Sequence, residues 1–65
     1  MEDYIERLQI EKAQLQERIA KLDAYMSSDE FTSTVSEGEQ DMMTKQRVAM
    51  LAYLDMLTDR IALGI

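Results

Sequence analysis

Apolar residues in the first part of the chain recur at Ile5, Leu8, Leu15, Ile19, Leu22 and Met26, with Lys12 filling the remaining place in the series. The steps alternate between three and four residues, which is the seam of a heptad helix. Isoleucine at Ile5 and Ile19 with leucine at Leu8, Leu15 and Leu22 is the side-chain choice of a two-stranded coiled coil. Lys12 interrupts the seam, and a lysine there lays its stem along the apolar surface and keeps its ammonium in water. No proline or glycine breaks the stretch, so the pattern predicts one helix over 2–26.

The pattern then lapses. Ser27 with Glu30, and again Ser36 with Glu39, have the spacing of a capping box, so a short helical turn is expected from Ser27 and a long helix from about 37 to 62. The connector over 27–36 has two large apolar side chains, Phe31 and Val35, expected to plug the open end of a hairpin.

Two seams run along the last helix. One is Met43, Arg47, Met50, Leu54, Leu57 and Ile61; the other is Met42, Gln46, Ala49, Tyr53, Met56 and Arg60. Val48, Leu51 and Ala52 add apolar area on a third side. Two long helices of nearly equal length with a short link fold back antiparallel. One seam of the last helix closes on the first helix. The other calls for another subunit, because a single partner helix covers a single side. The expected fold is therefore all-α: one domain over 1–65, an antiparallel helical hairpin with a short helical connector, assembled into a homo-oligomeric helical bundle. The seam holding Gln46, Tyr53 and Arg60 is the better candidate for the subunit interface.

Composition narrows the chemistry. The 65 residues include no cysteine, histidine or proline, which removes disulfides, thiolate metal sites and imidazole catalysis. Serines beside acids in the connector have no base at hand, so the expectation is a protein that is not an enzyme and needs no cofactor. The net charge is -6, unevenly spread: residues 27–41 carry five acids and no base, while 42–65 carry two acids and three bases. A net acidic chain without a basic stripe argues against duplex DNA or RNA as partner. The acidic start has no leader pattern, and no apolar run is long enough for a membrane span.

The polar residues that interrupt the apolar seams are the candidate ligand contacts. Arg47 and Arg60 offer planar forks suited to phosphate, and the ring of Tyr53 or Tyr25 suits a nucleobase. Gln46 or Thr58 would read a base edge. The alternative for the arginines is pairing with acids of a neighbouring helix. Met42, Met43, Met50 and Met56 are adaptable fillers of a core or of a plastic binding surface.

The stretches LDAYMSSDEF and EQDMMTKQRVAMLAYLDMLTDRI resemble a family of small phage-encoded proteins widespread in tailed and crAss-like phages. The resemblance rests on Tyr25 to Phe31, Glu39-Gln40, Gln46 with Met50, Tyr53 with Leu57, and Arg60-Ile61, and covers about residues 4–61. Met42 and Met43 stand where that family more often has leucine. In size and architecture the chain is also similar to the helical-hairpin proteins by which phages block CBASS and Thoeris immunity. The resemblance implies a phage anti-defence protein in the cytoplasm of a bacterial host. Such a homo-oligomer would sequester a cyclic di- or trinucleotide signal between its subunits, through Arg47, Arg60, Tyr53, Gln46, Tyr25 and Thr58. Rival readings are a protein–protein interaction module and a structural coiled-coil oligomer of phage origin.

Overall fold

The computed structural model describes residues 2–64. The chain forms α1 (Glu2–Met26), α2 (Asp29–Thr34) and α3 (Glu37–Leu63), and no strand occurs among the described residues. The two long helices lie against each other as a rod of 47 × 15 × 12 Å. The expected all-α helical hairpin is the fold observed.

Capping residues set the helix boundaries. α1 ends as Ser27 N–H donates to the Asp23 carbonyl and Ser28 N–H to that of Tyr25. Ser28 then opens α2: its backbone is extended and its hydroxyl oxygen accepts from Phe31 N–H. This corrects the expectation that the short helix is capped by Ser27 and Glu30. Ser27 N–H still belongs to the last turn of α1, so its side chain stands one residue too early to cap. Ser36 caps α3 as its spacing predicts, accepting from Glu39 N–H, and its hydroxyl lies 3.4 Å from the Glu39 carboxylate. At the far end Gly64, with φ of 74°, adopts the left-handed conformation that closes a helix, and its N–H returns to the carbonyls of Arg60 and Ile61.

The core is a single stripe. Leu8, Leu15 and Ile19 of α1 and Leu57 of α3, which is fully buried, form one continuous stripe, and Ile5, Met50, Leu51, Leu54 and Ile61 pack against it. The seam of α3 that closes the hairpin is thus the one containing Met50, Leu54, Leu57 and Ile61. Leu51, grouped by its spacing with the outer third side, packs on this core instead. Lys12 takes its a-type place half-buried.

The connector seals one end. Phe31 is buried with its ring edge-on to Tyr25, centroids 5.3 Å apart at 78°. Gln40 of α3 donates its side-chain amide to the Val35 carbonyl at 2.8 Å and so fastens the link to the second long helix. None of the described helices is long and apolar enough to cross a membrane.

Candidate functional site

The second seam of α3 is left outside. Met42 is 64% exposed, Met56 59% and Tyr53 40%, and Gln46 and Ala49 are exposed as well. Leu63, 71% exposed, extends this seam by one further step of seven from Met56.

The polar members of the seam meet α1 along one flank of the hairpin. Arg60 donates a guanidinium N–H to the Tyr4 hydroxyl, and its charge sits 5.6 Å from the centre of the Tyr4 ring. Two turns away the Tyr53 hydroxyl donates to the Glu11 carboxylate. In both pairs the residue numbers add to 64, which fixes the antiparallel register on this side. Seven residues are close to two helical turns. The same step therefore sets Arg18 of α1 level with Gln46 of α3. Tyr25, one more step along, lies on the same face of α1 as Tyr4, Glu11 and Arg18. All three tyrosines of the chain are on this flank, each between 37% and 40% exposed.

The electrostatics of the flank are mixed. Arg60 and Arg18 carry positive charge at two rungs and Glu11 a negative one between them. The hydrogen bond to Glu11 raises the Tyr53 pKa above the usual tyrosine value, with burial and the Glu11 charge adding to it and Arg60 opposing it. Tyr53 is accordingly a neutral donor at neutral pH.

Two of the six candidate ligand residues stand apart. Arg47 lies on the opposite flank, in a forked ion pair with Asp23 whose second arm spans 3.4 Å. That pairing is the alternative reading of the seam arginines, and it raises the Arg47 pKa through the hydrogen bond and the Asp23 charge. Thr58 is exposed and turns in on its own helix, its hydroxyl donating to the Leu54 carbonyl at 2.9 Å. Arg60, Tyr53, Gln46 and Tyr25 thus fall along one flank, spread over about 30 Å of it, and Arg47 and Thr58 fall elsewhere. Gln46 places its side-chain nitrogen only 3.9 Å from the Met50 sulfur, a weak contact that leaves the amide available. Sequence reading passed over Tyr4, Glu11 and Arg18. Their signal was the spacing of seven from Tyr4 to Tyr25, which gains meaning once the hairpin register is known.

A shallow depression lined by Glu6, Gln9, Ile10 and Ala13 lies on the outer face of α1 and contains none of these residues. Among the described residues no cluster of three or more metal-ligating side chains occurs.

In comparison with known proteins, the sequence model of a family described as Sequestin matches residues 2–63. No curated protein and no solved structure matches the chain.

Proposed function

The chain belongs to the Sequestin family, and from that premise we propose that it is a phage anti-defence protein that captures a cyclic nucleotide immune signal in the host cytoplasm without converting it. The family's description supports a binding and holding role rather than catalysis. The observation that carries the choice of ligand is the flank itself, where arginine, tyrosine and glutamine side chains line up on adjacent rungs of a hairpin with no histidine or cysteine.

Each residue type suits one part of a cyclic nucleotide. Arg60 takes a phosphate through its planar fork, exchanging the Tyr4 hydroxyl for a charged oxygen. Tyr53, its hydroxyl tied to Glu11, and Tyr25, braced by Phe31, offer rings for base stacking. Gln46 reads a base edge. Arg47 and Thr58 have structural parts in this reading, with Arg18 joining Arg60 as the second phosphate contact. A cyclic dinucleotide presents two phosphates close together, and a single hairpin spaces the forks of Arg60 and Arg18 two rungs apart. The working unit is accordingly a homo-oligomer with its sites between subunits.

Isothermal titration of the folded protein against a panel of cyclic di- and trinucleotides tests this. Binding to at least one member is expected, with Arg60→Gln weaker by about tenfold or more, the scale of one lost charge-assisted bond pair, and Asp55→Asn unchanged. A folded protein that binds none of them overturns the reading.

A further inference from the structure

We propose that the outer seam of α3 pairs with the same seam of a second copy, antiparallel, about a two-fold axis near Ala52 and Tyr53. The seam repeats at steps of seven through Met42, Ala49, Met56 and Leu63, the geometry that fits another helix. Its exposed methionines and leucine have no cover within the hairpin.

Charge selects the occupant and its direction. On the open edge of the seam the seven-spaced residues are Lys45, Ala52 and Asp59. In an antiparallel pair this edge faces its own copy, so Lys45 meets Asp59 of the second copy, Asp59 meets Lys45, and the two alanines meet at the centre. A parallel pair would turn the edge toward Met43, Met50 and Leu57, which lie on the side of α3 that faces α1, and both charges would go unanswered. Ala49 and Ala52 leave room at the axis for the two Tyr53 rings.

Area points the same way. A compact monomer of 7.5 kDa exposes about 4,200 Å² by the usual scaling. The hairpin exposes 4949 Å². The excess of about 700 Å² is near the roughly 800 Å² that each partner buries in a standard interface.

The pairing has a consequence for the ligand, and this part rests on the reading above. Antiparallel contact brings Arg60 and Tyr4 of one copy within about one helical turn of Arg18 and Gln46 of the other. Two arginines too far apart along one hairpin then converge from two chains. The two α1 helices stand as walls of a groove floored by the paired α3 helices, with two equivalent sites along it.

The chain's lack of cysteine makes the geometry directly testable. Sedimentation of the nucleotide-free protein should show an even-numbered assembly. Met56→Glu should dissociate it with helix content by circular dichroism retained. Lys45→Asp and Asp59→Lys alone should each weaken it by about tenfold, the scale of two exposed charge pairs lost and reversed, and the double variant should recover. Under oxidation Ala52→Cys should cross-link to itself, and Lys45→Cys only to Asp59→Cys. A monomer at all concentrations, or Lys45→Cys linking to itself as readily as Ala52→Cys, overturns the pairing. An assembled protein that binds no cyclic nucleotide leaves the pairing standing and removes only the sequestering role.

Discussion

The Tyr53 hydroxyl donates its proton to the Glu11 carboxylate, joining the two long helices on the flank where the arginine and glutamine side chains gather. The bond requires the phenol to be protonated. Because the folded pKa is raised above the unfolded one, the native state holds this proton more tightly than the unfolded chain does. Its contribution is complete below the ordinary tyrosine value near 10 and is lost as pH climbs through the higher folded value. Urea midpoints measured from neutral to strongly alkaline pH should fall in that upper range, and Tyr53→Phe should fall less.

Among the described residues, Leu57 is the one side chain with no exposed surface. Leu57→Ala leaves a cavity in the core stripe between α1 and α3, at a cost of about 3 kcal/mol. In a chain this short that is a large share of a stability of order 5 kcal/mol. Thermal unfolding by circular dichroism should show a drop far larger than that of Val48→Ala, whose side chain is 61% exposed.

The cap of α2 gives a sharp contrast between adjacent serines. Ser28→Ala removes the acceptor for Phe31 N–H and should cost about 1 kcal/mol, whereas Ser27→Ala should stay within about 0.5 kcal/mol. Denaturant unfolding of the two variants side by side measures this.

The Arg47–Asp23 pair ties α3 to α1 at the connector end with both side chains about two-fifths exposed. Water and salt reach it, so its coupling should be small and screened. A double-mutant cycle with Arg47→Met and Asp23→Asn should give a favourable coupling at low salt that vanishes near 1 M. A coupling that persists at high salt would show a desolvated pair.

Much of the fold was legible because it rests on periodicity. The three-four alternation from Ile5 to Met26 placed Leu8, Leu15 and Ile19 in the core, and the spacing of Ser36 and Glu39 placed a cap. What the sequence left open was rotational: both seams of α3 have the same heptad steps, and only packing against α1 picks the one with Leu57. The cap at Ser28 was missed because Ser27, not Ser28, has an acid three residues on, while Ser28 caps through the backbone N–H of Phe31. The candidate site residues are set by residue type along the chain, and their positions on the hairpin are not. Arg47 and Arg60 look alike along the chain, yet one step of rotation sends Arg47 to Asp23 and Arg60 to Tyr4. Tyr4 and Glu11 reach the flank's other residues only through contacts between residues more than forty apart in sequence, and Arg18 joins them only by the step of seven along α1.

The acidic connector makes the rod electrically lopsided. Asp29, Glu30, Glu37, Glu39 and Asp41 crowd one end of a body 47 Å long, with no base among residues 27–41 to offset them. Two copies lying head to head would stack ten negative charges within a few screening lengths of about 8 Å at physiological salt. Copies lying head to tail hold those ends several screening lengths apart. Repulsion between the ends thus acts as a compass for assembly, strongest in dilute buffer, where it disfavours every arrangement that would bring two connectors together.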